Sequence, residues 1–164
     1  MIDNLANALV SVNKEAAVVI LGAMPVSELR GAIPLAIALD LSPLKAYMLA
    51  VAGNLLPVVP LLLLLRPVSE RLRKIPLFDR FFTWLFERTR NKADLIERFE
   101  ALGLILFVAV PLPVTGAWTG CVAATLFKIR FRYALPAIIA GVLIAGIIVL
   151  VLSLAGKGML TSGA

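Results

Sequence analysis

With 164 residues, 61% of them hydrophobic and only 16% charged, this chain is far oilier than a soluble domain, for which about 45–50% apolar and roughly 25% charged residues are usual. It has no His and a single Cys, Cys121, which excludes a structural zinc site, a disulfide framework and a Cys–His nucleophile; no GxxxxGK[ST] sequence occurs, which excludes a P-loop motor. The formal charge of +6 reads as the sidedness signal of a membrane protein rather than as a nucleic-acid footprint, so the composition predicts one integral membrane domain with no enzyme activity, metal or cofactor.

The N-terminus lacks the basic start of a secretory signal, since Asp3 comes first and the first Lys is Lys14; it is expected to be mature. The first apolar region, residues 16–39, is interrupted. Ala16 to Met24 would make only about 14 Å of helix, half a bilayer. Pro25, Glu28, Arg30, Gly31 and Pro34 follow, and then a second short apolar run ends near Asp40. This pattern predicts a re-entrant helical hairpin with Pro25, Gly31 and Pro34 in its tip; the alternative is one spanning helix with a proline bend. The second region, residues 46–65, is long enough to span once. Within it Gly53, Asn54 and Pro57 mark a possible hinge, because Pro57 leaves the Gly53 carbonyl without its helical partner.

Residues 66–98 are charged and read as amphipathic. Phe78, Phe81, Phe82 and Leu85 have the spacing of one helical face, with Trp84 beside them, which suits a helix lying along the membrane surface. Asn91 is the expected N-cap of the next helix, with Asp94 in its first turn. The third region, residues 101–127, repeats the design of the first. Phe99 to Val110 gives about 18 Å of helix, "PLPVTGAWTG" supplies a tip containing Pro111, Pro113 and Gly116, and a short run returns to Lys128. The fourth region, residues 133–155, spans once. Its "GVLIAG" stretch, residues 141–146, allows close helix approach, within the chain or in a homodimer; the small number of spans favours the homodimer.

Nine of the sixteen Lys and Arg lie in residues 66–100, and Lys128, Arg130 and Arg132 follow the third region. If both interrupted regions are hairpins, these twelve share one face. The positive-inside rule makes that face cytoplasmic and puts both termini outside. The expected fold is therefore an all-α integral membrane protein of the cell membrane, built from two inverted-topology repeats. Each is a re-entrant hairpin followed by one transmembrane helix (residues 1–65 and 99–157), with the cytoplasmic amphipathic segment between them. Gly31–Ala32 matches Gly116–Ala117, and Ala52–Gly53 and Ala140–Gly141 fall at similar distances downstream.

A charge at mid-bilayer costs about 2.5–3.5 kcal/mol on insertion scales, so Glu28 and Arg30 require a partner or a wet cavity. In the structural reading they neutralise each other or pin the two tips together. In the functional reading Arg30 holds an anionic head group, phosphate matching its fork best, and Glu28 carries the proton, helped by free N–H groups near Gly31. Thr115, Trp118 and Thr119 are the candidate contacts from the second tip. The alternative for them is that the hydroxyls bond local backbone and the indole packs. For Asn54 a kink is preferred to ligand contact.

The motifs "PVSELRGAIP" (residues 25–34) and "VPLPVTGAWTG" (residues 110–120), with the central charged loop between them, resemble the small multidrug export protein family over nearly the whole chain. More distantly, two inverted hairpin-plus-helix halves resemble the DedA superfamily, which is implicated in proton-linked movement of undecaprenyl phosphate and other lipids. DedA proteins carry arginines around the proline of the second tip, whereas here Val110, Pro111, Pro113, Thr115 and Gly116 bear no charge. The implied phosphate-binding role therefore carries over only to Glu28 and Arg30. Three functions follow as expectations: a proton-coupled secondary transporter or flippase for an amphipathic anion such as a lipid phosphate, an exporter of lipophilic cationic drugs, and a scramblase or non-transporting scaffold. The expected partners are membrane lipids and a second copy of the chain, with no nucleic acid.

Overall fold

The computed structural model describes residues 2–72, 93–111 and 115–162. Among them the chain forms seven helices: α1 (Ile2–Ala23), α2 (Glu28–Ala38), α3 (Pro43–Leu55), α4 (Val58–Leu72), α5 (Ala93–Ala109), α6 (Ala117–Leu126) and α7 (Phe131–Ser162). The amphipathic face at Phe78–Leu85, the Asn91 cap and Pro113 lie outside the described residues. α1 starts well before the apolar block at Ala16. The solid apolar run marks where a helix becomes oily, not where it begins.

Each interrupted region holds two helices rather than one, α1 and α2 in the first and α5 and α6 in the second. The turn at residues 24–27 separates α1 from α2, which packs back on it. Lys45, in the first turn of α3, pairs with Glu15 of α1, so the chain has returned to its starting end by the time α3 begins. One kinked spanning helix over residues 16–39 would have carried it to the opposite end. Pro34, expected in the tip, instead sits exposed inside α2. α2 begins as early as Glu28, so Pro34 falls in its second turn, where the ring removes one helical hydrogen bond. α3 ends at Leu55 and α4 resumes at Val58, while the Leu56 N–H still reaches the Ala52 carbonyl at 3.1 Å. The region is a kinked helix rather than two separate ones.

α2 and α6 end identically. Asp40 (φ 59°) and Lys128 (φ 56°) take the left-handed conformation just past each helix. Their N–H groups bond back to Ile37 and Thr125, and those of Leu41 and Ile129 bond to Ala36 and Ala124, which is the Schellman arrangement. The chain then enters α3 and α7 through matching first bonds, Ala46 N–H to Ser42 and Ala134 N–H to Arg130, both 2.9 Å. The same sequence offset pairs Gly53 with Gly141. At Gly53 an added Cβ would lie 2.2 Å from the Val19 carbonyl oxygen of α1; at Gly141 it would lie 2.6 Å from Val108 Cβ of α5.

The two short helices occupy the centre. α2 packs against α1, α3 and α7, and α6 against α4, α5 and α7. Their inward residues Ala32, Ile33, Ala36, Cys121 and Ala124 are fully or almost fully buried. Small residues dominate this core, which lets the backbones approach closely. Two stretches are long and apolar enough to cross a bilayer, Pro43–Leu65 and Phe131–Met159, and only 33% and 39% of their apolar windows are buried. Core helices of a soluble protein would be mostly covered. Here Leu44, Leu64, Val151, Leu152 and Met159 face outward. Two glycines of α7 are used inside the chain: Gly141 abuts Val108 and Gly146 abuts Tyr47, whereas Gly156 and Gly158 have open space beside them.

At the end where α2 meets α3, Lys157 of α7 donates to Asp40 at 2.7 Å and to the Ile37 carbonyl at 3.2 Å. Hydrogen bonding from Lys157 holds the exposed Asp40 carboxyl below its ordinary value. A carboxylate whose folded pKa is depressed adds stability above its unfolded pKa and loses it as pH falls through the folded one. Asp40→Asn keeps a residue that tolerates the left-handed turn. At pH 7 and low salt the parent chain should melt slightly above this variant. The gap should close as pH drops below about 3.9 and should shrink with added salt. A gap that persists at low pH would show that the charge is not its source.

The close helix crossings give a second expectation. Gly53→Ala forces a methyl against the Val19 backbone and should cost at least about 1–3 kcal/mol through overpacking. Gly103→Ala, with nothing within 4 Å of the new Cβ, should be neutral or stabilise by about 0.5–1 kcal/mol. Thermal melts in detergent compare the two; equal effects would contradict the crossing.

Candidate functional site

α6 begins at Gly116, in the interior, and its first N–H groups have no helical partners. Their partner is a carboxylate from the other half of the chain. Glu28, only 5% exposed, accepts from the Trp118 N–H at 3.3 Å, with the Ala117 N–H also directed at it. Glu28 thus acts as the N-cap residue of a helix 90 positions away. The negative charge also suits the positive end of the helix dipole. Gly116 makes the approach possible. An added Cβ there would lie 1.7 Å from Glu28 Oε2, so no other residue leaves room for the carboxylate.

The tie runs the other way as well. Trp118 Nε1 donates to the Ala23 carbonyl at 3.1 Å, and Ala23 is the last residue of α1. Each tip therefore supplies the hydrogen-bonding group that the other tip's helix end lacks. Glu28 holds this position with φ 45°, a left-handed backbone that costs a non-glycine residue about 1–2 kcal/mol. Ser27 secures the turn from behind through Ser27 Oγ to the Leu21 carbonyl at 2.6 Å.

Between the tips lies a cavity of about 10 Å³, lined by Glu28, Arg30, Asn54, Pro111, Thr115 and Gly116, with apolar walls from α5 and α7. Glu28 and Arg30 both line this cavity. The Gly31 N–H, expected to be free for an anion, is bonded to the Ser27 carbonyl at 3.0 Å; the available helix N-terminus is that of α6. The hydroxyls of Thr115 and Thr119 bond local carbonyls, those of Val110 and Gly116. Trp118 and Thr119 are not among the lining residues. Pro25 is exposed in the first turn. Asn54, read from sequence as part of a hinge, is fully buried in the cavity wall, and its Nδ2 donates to the Gly22 carbonyl at 3.1 Å. One signal could have found it: it is the only amide within the second apolar region.

The model of the family described as "Putative small multi-drug export protein" matches residues 28–148. The chain belongs to that family. The match begins at Glu28 itself and takes in Arg30, Asn54, Thr115 and Gly116 of the cavity wall, while the turn at residues 24–27 and the Ala23 carbonyl precede it. No curated protein and no solved structure matches, and the more distant likeness to DedA proteins gains no support from these comparisons. Family and outward-facing apolar helices together are those of a membrane protein, consistent with transport in general.

The cap can be tested directly. Gly116→Ala displaces the Glu28 carboxylate and Glu28→Ala deletes it, and each should cost about 1–3 kcal/mol. Because both remove the same contact, the double variant should be little worse than the poorer single one. Fully additive losses in thermal melts would mean that the two residues do not act on each other.

Proposed function

We propose that this chain is a secondary membrane transporter or flippase that moves an amphipathic anion, such as a lipid phosphate, with a proton. The observation that carries the reading is the Glu28 carboxylate seated on the N-terminal amides of α6. Helix N-termini bind anions, and here the site is filled by an anion belonging to the protein. When Glu28 takes a proton, it gives up its attraction for those amides. A substrate phosphate can then take its place, with Arg30 in the same cavity wall to meet its oxygens. Proton uptake and anion binding are coupled because both require Glu28 to leave. The small cavity corresponds to the closed state, before any substrate group enters.

In this reading each tip lies near the bilayer midplane, and the halves are inverted repeats whose broken helices meet there. The matched helix ends at Asp40 and Lys128 and the matched glycines Gly53 and Gly141 support the repeat. The Lys45–Glu15 and Lys157–Asp40 pairs support the first hairpin opening on the side that holds the end of α7. The concentration of Lys and Arg in residues 66–100 makes the opposite side cytoplasmic, with both termini outside. Since Gly141 and Gly146 of α7 serve packing within the chain, a homodimer would bury outward residues of α7, such as Ile147 and Val151, instead.

A second reading, export of lipophilic cations, is favoured by a cavity of about 290 Å³ between α5 and α6. Its walls include Phe107 and Phe127, with Glu100 among the lining residues; aromatic rings beside a carboxylate suit such a cation. Reconstituted vesicles carrying a pH-sensitive dye separate the two. The parent protein should move a short-chain fluorescent lipid phosphate together with protons. The Glu28→Gln, Arg30→Gln double variant should remain folded and do neither. Normal transport by that variant would refute the site. Transport of tetraphenylphosphonium that is lost in Glu100→Gln but kept in the double variant would replace the anion reading by the cation one.

A further inference from the structure

Asn54 is 0% exposed, yet its Oδ1 finds no protein donor among the described residues. The orientation of its amide is not arbitrary. The Gly22 carbonyl can only accept, so Nδ2 must face it, and Oδ1 is left on the cavity side. A buried acceptor without a donor costs about 1–3 kcal/mol, and native interiors rarely leave one. The cavity that Asn54 shares with Glu28 measures about 10 Å³, the least volume that holds one water molecule. It is too small for a phosphate group.

We propose that this cavity is a site for a single water molecule that donates to both Asn54 Oδ1 and the Glu28 carboxylate, and that Asn54 thereby positions Glu28. The chemistry of the wall chooses water over a bare cation. A sodium ion would suit two oxygen ligands, but Arg30 lines the same small space and repels it. Water offers two donors to the two acceptors and keeps its lone pairs for N–H groups such as those of Arg30. Buried waters typically make about three such bonds. The matched position of the second half reinforces the assignment. Val142, which occupies the Asn54 position by the same offset that relates Gly53 to Gly141, also lines this cavity. One polar and one apolar wall residue therefore give the water a fixed orientation toward the first half.

The inference deepens the transporter reading, since it concerns the residue that reading makes the proton carrier. Its test uses stability alone, so it can fail or succeed whether or not transport is found. Thermal melts of the full chain in lipid nanodiscs are compared for the parent, Asn54→Val, Glu28→Leu and the double variant; leucine leaves the water no acceptor, whereas glutamine would keep a carbonyl oxygen. Asn54→Val loses both the Gly22 bond and the water bridge, whereas only the bridge involves Glu28. With a bridge, the drop in melting temperature caused by Asn54→Val should be under half as large in the Glu28→Leu background, as a coupled pair requires. Asn54→Thr, which keeps an oxygen on the cavity side, should restore part of the coupling that Asn54→Val loses. Equal drops in both backgrounds would leave Asn54 with a purely local role and overturn the bridge. A melting temperature that rises with sodium chloride but not with choline chloride, and does so only with Asn54 and Glu28 intact, would overturn water in favour of a cation.

Discussion

Helix ends turned into the interior must find hydrogen-bonding partners, and this fold satisfies two of them crosswise. The N-terminus of α6 is closed by Glu28 of the first half, and the C-terminus of α1 by Trp118 of the second. In an apolar interior each orphaned amide or carbonyl costs several kcal/mol. Each of these two helix ends is therefore completed by a residue from the other part of the chain. The left-handed backbone of Glu28 follows from the same demand. Turning the chain there is what aims a carboxylate at the opposite tip, and the bonds it makes outweigh the local strain.

The small residues serve this arrangement. Gly116 lets the carboxylate in, while Gly53 and Gly141 let α3 and α7 run against the main chains of α1 and α5. A core built largely from alanine and glycine gains little from each side chain. It gains by bringing backbones close, which suits an interior where association rests on packing and polar contacts. The outer helices then keep their large side chains for the surroundings, as the exposed leucines, isoleucines and valines of α3, α4 and α7 show.

The two reciprocal caps also constrain motion. Because each ties the start or end of a helix in one half to a side chain in the other, separating the tips breaks both at once. An element held by a few polar contacts that break together has discrete arrangements rather than a continuum of them. A ligand shifts such an element only by binding one arrangement better than the other, and a proton or an anion at the α6 N-terminus would do so. The kink at Leu56–Pro57 lies next to Asn54 in the cavity wall, which puts the softest point of the long helix beside the contact it would have to follow.

Much of this was legible in the residues. Pro25 and Pro111 marked where α1 and α5 would break, but the apolar runs understated both helices, since α1 has 22 residues before its break and α5 has 17. Pro57 determined the kink, because a missing N–H acts locally. The charge of Glu28 and Arg30 inside an oily block announced an interior site, because a buried charge demands a partner. What the sequence could not determine was the partner. That Glu28 caps α6, that Trp118 answers Ala23, and that Asn54 faces the same cavity are contacts between segments far apart in the chain. They depend on how α2 and α6 pass each other, to within an ångström. Likewise Pro34 was misplaced in the tip, because a helix start depends on where the turn at residues 24–27 closes, and the packing of α2 onto α1 decides that. Local chemistry sets which groups need satisfying; only the tertiary packing decides which distant group does it.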